Sequence, residues 1–277
     1  IYRKQNGEPV ALRDRCQHRF LPLSKGKRDG DDIVCHYHGL KFDCTGACVH
    51  SPHGDGKIPR AAVIRSFPIV ERDGFIWLWP GEPELADPDR IFDCSILSKN
   101  PETSVIYNYM HNVANYELVT DNIMDLSHID HVHGPLINTH GQLSPLIPQV
   151  KEEGDDIYIR WDWHADPVME LFGPHLEKPE DPADQFFSVQ WRAPSIMHLQ
   201  VAAKQKGEDY EKDGLIFYDF HIMTPETAKT THYFHGSSRN FFQDDAKYNA
   251  AHQEGIRLAF MTEDKPVIDA QQAEIET

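Results

Sequence analysis

Cys16-Gln-His18-Arg-Phe-Leu-Pro-Leu-Ser24 and Cys35-His-Tyr-His38-Gly-Leu-Lys-Phe-Asp43 are the two stretches that decide how this chain folds. Each half offers one thiolate and one imidazole, as C-x-H and, after sixteen intervening residues, C-x2-H. Two Cys and two His bind either one Zn2+ in a tetrahedron or a [2Fe–2S] cluster, with the thiolates on one iron and the imidazoles on the other. Zinc knuckles usually place both ligands of a half on one metal through C-x2-C. A C-x-H turn instead projects its two side chains toward different centres. Arg15 and Arg19 beside the first half would help to hold an electron-rich cluster.

Working outward, residues 1–82 read as short strands between Gly, Asp and Pro clusters: Val10–Arg13, Ile33–Cys35, Lys41–Asp43 and Ala62–Arg65. Pro68 to Trp79 is a hairpin with Asp73-Gly74 as its turn. Pro80-Gly-Glu-Pro-Glu-Leu-Ala-Asp-Pro-Asp, with three prolines and four acids, is a connector. Residues 112–130 lack Gly and Pro and carry apolar side chains at helical spacing, so one helix is expected there, ended by Gly134-Pro135. Strand-rich segments follow at Ile157–Trp163, Phe187–Trp191, Ile196–Val201, Leu215–Ile222 and Thr231–Phe234. A final helix from about Asp244 is expected to kink near Pro266.

Charge narrows the partners. Lys and Arg number 27 against 44 Asp and Glu, a net −17 over 277 residues, which argues against nucleic acid and anionic lipid. Residues 1–41 are the exception, with nine basic and five acidic side chains, a surface suited to docking an acidic electron donor. No apolar run spans a bilayer. Five scattered Cys make no secreted disulfide framework, so Cys44, Cys48 and Cys94 are expected to be unpaired and the location cytoplasmic. His50 and His53 read as loop residues. Seventeen His are several times what packing requires.

A second cluster of chemistry lies in Asp121-Asn-Ile-Met-Asp125-Leu-Ser-His128-Ile-Asp-His131-Val-His133, three His and three Asp in thirteen residues. On a regular helix His128 and His131 share a face, whereas His133 lies about 140° from His128. Regular geometry therefore favours His128 with His131, while an unwound last turn would bring His133 back.

Here the sequence resembles a family. The two Cys/His loops resemble those of the Rieske [2Fe–2S] domain of ring-hydroxylating oxygenases, with His36 where that family commonly has Pro. His38, followed by Gly39, fits the ligand position, so the resemblance implies Cys16, His18, Cys35 and His38 as cluster ligands. The helical stretch is similar to the D-x3-D-x2-H-x4-H signature of the same oxygenases, whose two spaced His bind a mononuclear non-haem Fe(II). That maps onto His128 and His133 and leaves His131 aside. Thr262-Glu-Asp264-Lys-Pro-Val-Ile resembles the family's E-D-K-x-V motif, implying Asp264 as the third ligand, with Glu263 the adjacent competitor. Two His and one carboxylate occupy one face of the metal and leave the others for O2 and substrate.

The resemblance covers nearly the whole chain. Asn115–His128, Thr224-Pro-Glu-Thr and His232–Phe241 resemble the branch of vanillate O-demethylase and dicamba monooxygenase. It implies an α+β fold: an all-β Rieske domain at 1–82, its first strands largely missing as in a truncated chain, then a helix-grip catalytic domain of antiparallel sheet and helices at 83–277. The implied activity is that of the terminal oxygenase of a multicomponent monooxygenase. It would use O2 and electrons that pass from NAD(P)H through a flavin reductase and ferredoxin. The implied reaction hydroxylates the methyl ether of a vanillate-like aromatic acid, and the hemiacetal then collapses to a phenol and formaldehyde. Family members assemble as head-to-tail homotrimers in which an Asp bridges the cluster of one subunit to the iron of the next; by motif position this is Asp125, joining His128 to His38 of a neighbour. Asn122 is a further candidate beside the iron, and His221, in an aromatic strand, for contact with the substrate. Competing readings are an aromatic-ring dihydroxylating dioxygenase, a Rieske electron carrier with a ligand-binding domain, and a zinc-binding adaptor.

Overall fold

The computed structural model describes residues 1–134 and 137–275. The chain divides into two compact units, Ile1–Asp93 and Cys94–Thr277. The first is built from short strands: β1 (Tyr2–Arg3), β2 (Pro9–Leu12), β3 (Lys27–Asp29), β4 (Asp32–Val34), β5 (Lys41–Phe42), β6 (Cys48–His50), β7 (Ser66–Phe67), β8 (Ile69–Arg72) and β9 (Phe75–Leu78). They form an antiparallel sheet β1-β2-β7, a second sheet β3-β4-β5-β6, and the β8/β9 hairpin. Asp73 and Gly74 both take positive φ, 54° and 78°, as the tight hairpin turn requires. The Ala62–Arg65 segment is not the expected strand: it makes one bridge, Val63 to Ala47, before β7 begins. At this crossing Gly46 has φ +87°, and a Cβ on it would lie 2.0 Å from the Ile64 carbonyl oxygen, so only glycine fits. Phe42, Ile64, Leu23 and Leu40 bury the core together with Cys16 and Cys35.

The connector belongs to this unit, so the compact-unit boundary falls at 93/94 and not at 82/83. Arg65 donates to the carbonyls of Pro80 and Gly81 at 3.0 and 2.6 Å, and Arg72 to that of Pro88 at 2.9 Å. Those bonds tie the proline-rich segment to the strands before it.

In the second unit α1 (Ser95–Lys99) leads into β10 (Ile106–Asn112), α2 (Tyr116–Met124) and α3 (Ile129–Val132). Then come β11 (Gln149–Glu153), β12 (Asp156–Ala165), β13 (Ala183–Arg192), β14 (Ile196–Gln205), β15 (Leu215–Thr227) and β16 (Thr230–Arg239), and finally α4 (Ala246–Arg257) and α5 (Lys265–Ile275). The strands make one seven-stranded antiparallel sheet in the order β10-β16-β15-β14-β13-β12-β11. Phe187, Val189, Met197, Leu199, Val201 and Phe217 project from one face by strand alternation. Val119 and Ile123 of α2 and Ile268 of α5 pack onto that face.

Both helical expectations need correction. The segment 112–130 is not one helix. Asn115 caps α2 through its side chain on the Glu117 amide at 2.8 Å, and the helix ends at Asp125, whose φ and ψ are −118° and 89°. The Asp125 carboxylate then caps a new 3-10 turn, Leu126–His128, on the Ser127 amide at 3.1 Å. A side chain that bonds its own backbone in this way competes with the helix and restarts it. The stop expected at Gly134-Pro135 lies in part outside the described residues, since Pro135 is not among them. In the C-terminal helix the irregularity precedes Pro266: residues Leu258–Asp264 wind as a π-helix between α4 and α5. Pro266 has no amide to offer the Thr262 carbonyl four residues back, which is where the wide turn lies.

Candidate metal centres and active-site cavity

The two Cys/His loops have matching backbones. The Cys16 amide donates to the Leu21 carbonyl at 2.9 Å and the Phe20 amide to that of Cys16 at 3.0 Å. The second loop repeats this, Cys35 to Leu40 at 2.9 Å and Gly39 to Cys35 at 3.0 Å. The matching left-handed positions are Phe20, φ 61°, and Gly39, φ 73°. Each loop thus buries its thiol and turns its imidazole outward: Cys16 and Cys35 are buried, His18 is exposed and His38 half-buried. Burial pushes the Cys16 thiol up, and the adjoining Cys35 adds to the rise, so two neighbouring thiolates here call for a cation. The rings of His18 and His38 lie 4.4 Å apart. Thiols side by side and imidazoles side by side fit a two-iron cluster. Among the described residues only His128, His133 and Asp264 bring three donor atoms within 4.8 Å of one another, so the Cys and His here do not converge on a single ion. His53 is a loop residue with a role in this region: its Nε2 bonds the His38 carbonyl at 2.8 Å.

The second centre joins segments 130 residues apart. His128 closes the turn that Asp125 caps, and His133 leaves α3 in extended conformation, φ −88° and ψ 147°, which brings its ring back to 5.2 Å from that of His128. His131, the partner that regular helix geometry favoured, is exposed and bonds the Ser144 hydroxyl at 3.2 Å. His128 Nδ1 donates to the Asp125 carbonyl at 2.7 Å and His133 Nδ1 to Glu263 Oε2 at 2.8 Å. Those bonds leave both Nε2 atoms facing Asp264 Oδ1, at 3.5 and 3.6 Å. The adjacent acids therefore diverge. Asp264 faces the imidazoles, whereas Glu263 grips His133 from behind and also accepts the Gly134 amide at 3.1 Å. Burial pushes the Asp264 carboxyl up to about 6. Asn122 donates to Oδ1 at 3.4 Å, but the buried Oδ2 has no hydrogen-bond partner. Burial also pushes His133 down, keeping it neutral. An orphaned carboxylate oxygen and two imidazoles with fixed tautomers fit a divalent ion with open coordination positions.

A cavity of about 340 Å3 opens onto these three residues, walled by Ile123, Met169, Phe187, Leu199, Val201 and Phe217. A benzene ring seats in about 150 Å3, so a substituted ring fits. His221 is not on its wall. It is fully buried, its Nδ1 bonded to the Tyr233 hydroxyl and its ring covered by Phe260 at 5.4 Å. Asp219, two residues earlier on the same strand face, lines the cavity instead, as does His252 of α4. Sequence reasoning singled out His221 but missed its buried polar neighbours: Asp219 is opposite Ser237 and His221 opposite His235 across β15 and β16. An acid in an otherwise aromatic strand was the available signal.

The profile of the Rieske [2Fe–2S] domain matches residues 1–68, and that of the vanillate O-demethylase oxygenase C-terminal domain residues 113–277. The chain is 38% identical to the oxygenase component of dicamba O-demethylase from Stenotrophomonas maltophilia, over 98% of this chain and 79% of that one. Its structure is similar to that of dicamba monooxygenase bound to 3,6-dichlorosalicylic acid, with a TM-score of 0.92 and 36% identity over 99% of this chain and 80% of that one. A structure of the same enzyme with non-haem iron and dicamba matches with a TM-score of 0.82 and 34% identity, over 99% and 79% of the two chains.

Proposed function

The chain belongs to the vanillate O-demethylase branch of the Rieske non-haem iron oxygenases, and from that premise we propose residue roles and a reaction. It is the oxygenase component of a multicomponent monooxygenase, with a [2Fe–2S] cluster and a mononuclear non-haem iron. In our reading Cys16, His18, Cys35 and His38 hold the cluster, and His128, His133 and Asp264 hold the iron. The observation that carries this is the convergence of His128, His133 and Asp264 within 4.8 Å at an apolar cavity. When bound, the iron supplies the place where dioxygen is activated and the cluster supplies single electrons.

The chain's own residues do the rest. Asp125 and Glu263 fix the tautomers of His128 and His133, so each presents its Nε2. The apolar walls orient an aromatic ring and exclude water from the reacting end. Hydroxylation of a ring-bound methoxy carbon gives a hemiacetal that breaks down to a phenol and formaldehyde, so the proposed activity is O-demethylation of an aryl methyl ether. The Asp125 carbonyl accepts the His128 Nδ1–H hydrogen bond, and its exposed carboxylate, one oxygen of which accepts the Ser127 amide, is left to meet His38 of a neighbouring subunit in a head-to-tail trimer. Electrons would reach it from a ferredoxin or flavin reductase docked on the basic 1–41 segment. No described helix is long and apolar enough to cross a membrane. All five Cys are unpaired, which supports a reducing, cytoplasmic location.

Iron and acid-labile sulfide analysis with EPR of the reduced protein tests the assignment. Two cluster irons and one mononuclear iron per chain are expected, and zinc alone refutes it. Turnover of methoxylated arenes with a ferredoxin–reductase pair should release formaldehyde. A cis-dihydrodiol without formaldehyde would point to the ring-dihydroxylating alternative.

A further inference from the structure

The cavity wall is as poor in hydrogen-bond donors as it is rich in carbon. Among the described residues that line it there is no Lys, Arg, Ser, Thr, Asn or Gln. Apart from His128, His133 and Asp264, its polar side chains are Glu170, His175, Asp219, Tyr248 and His252. Two of these are already engaged elsewhere. Asp219 is taken by the next strand: its Oδ1 stands 3.3 Å from His235 Nε2, and Ser237 also bonds the carboxylate. His252 accepts from the Arg239 guanidinium on Nδ1 at 3.0 Å, so its hydrogen sits on Nε2, which donates to the Ser237 hydroxyl at 3.1 Å. Arg239 is itself wholly buried, also donates to the Phe242 carbonyl and to Asn249, and does not line the cavity.

The other three make a poor anchor for an anion. Burial pushes the Tyr248 hydroxyl up to about 12 and holds the His175 imidazole down, so both groups are neutral. Their rings pack edge to face 5.1 Å apart, and Phe242 closes on His175 at the same distance. Glu170 is exposed and brings a negative charge to the rim. A divalent iron balanced by Asp264 alone would keep one positive charge. Burial pushes the Asp219 carboxyl up, but His235, His221 and Ser237 outweigh it and hold the group ionised, which offsets that charge. A carboxylate entering the cavity would shed its water and find two neutral donors at most, with no cation among the lining side chains. An alkyl group or a halogen has no such cost, and its burial against Met169, Phe187, Leu199, Val201 and Phe217 is favourable.

We propose that the cavity selects an uncharged aryl methyl ether with apolar ring substituents and disfavours the corresponding aromatic carboxylate. This rests on the O-demethylation reading and names its substrate class. The selection lies in what the wall cannot supply: a ring that brings its methoxy carbon to the iron end sets its other substituents against carbon.

The test uses the iron-loaded full chain and calorimetric titration at neutral pH with 3-methoxytoluene, 3-chloroanisole, 3-methoxybenzamide and 3-methoxybenzoate. The tighter of the two apolar rings should bind about tenfold or more tighter than the benzoate. The benzamide, which keeps the benzoate's shape without its charge, should fall between them. The inference is overturned if the benzoate binds as tightly as the tighter apolar ring, if the benzamide binds no tighter than the benzoate, or if neither apolar ring binds. Formaldehyde release is scored separately. Its appearance with any of the rings upholds O-demethylation whatever the binding order. Its absence counts against that reading and leaves the binding order to judge the selection.

Discussion

The two metal centres of this chain are built in opposite ways. The cluster loops are local: each carries its thiol and imidazole within four residues, on matching turns, and leaves His18 exposed and His38 half-buried. The proposed iron site is assembled at long range, from a broken helix and a π-wound segment 130 residues later, with His133 and Asp264 both buried. The difference follows from the task. A centre that exchanges electrons with a partner must keep an edge at the surface, whereas one that handles oxygen must be shielded from water and carry its own orienting groups.

Removing a ligand should separate the two centres most sharply. His128→Ala or Asp264→Ala is expected to abolish mononuclear iron binding and formaldehyde release while the reduced-cluster EPR signal persists; loss of both signals would show that the centres do not fold independently. Asp125→Asn should come next, lowering turnover on the order of 100-fold through misplaced contact geometry with both metals still bound. Full activity in that variant would remove Asp125 from the connection. Glu263→Ala should weaken mononuclear iron by roughly 10- to 100-fold, read by chelator competition, with Glu263→Gln milder and the cluster unaffected.

The smallest effect is on stability. His252 titrates near 4 when folded, below the ~6.5 of an unfolded histidine. The unfolded chain therefore binds more protons between those values, and stability is full above about pH 6.5 and lost as pH falls toward 4. The loss is on the order of 3 kcal/mol from this group. Urea melts at pH 7 and pH 5, followed by tryptophan emission, should register this loss. His252→Gln should flatten the slope.

Much of this was legible in the sequence, and what was not has definite causes. Spacing alone exposed the two Cys/His loops, because all four proposed ligands lie on two matching turns. The five long strands announced themselves by β-branched and aromatic runs. β10 and β11 did not. Ile106–Asn112 buries Asn112 along with Ile106 and Met110, and Gln149–Glu153 has no buried residue at all, so pairing with β16 and β12 rather than patterning makes them strands. The break at Asp125 was hidden because an acid in a helical period looks like a solvent-facing residue until its carboxylate is seen on the Ser127 amide. Asp219 escaped attention because its partners lie on the next strand.

The π-wound segment gives Glu263 and Asp264 their separate duties, though nothing in the chemistry of two neighbouring carboxylates assigns them. A π turn is a helix carrying one residue too many. Rewinding this stretch as a regular helix, with no residue removed, would rotate everything beyond it by about 100° relative to α4. The acid that now braces an imidazole and the acid that now faces the ion would each point elsewhere, although no side chain had been changed. The placement of the proposed ligand and its neighbour is therefore encoded partly in the winding of this segment, and a change that straightened it would act on the site without touching either side chain.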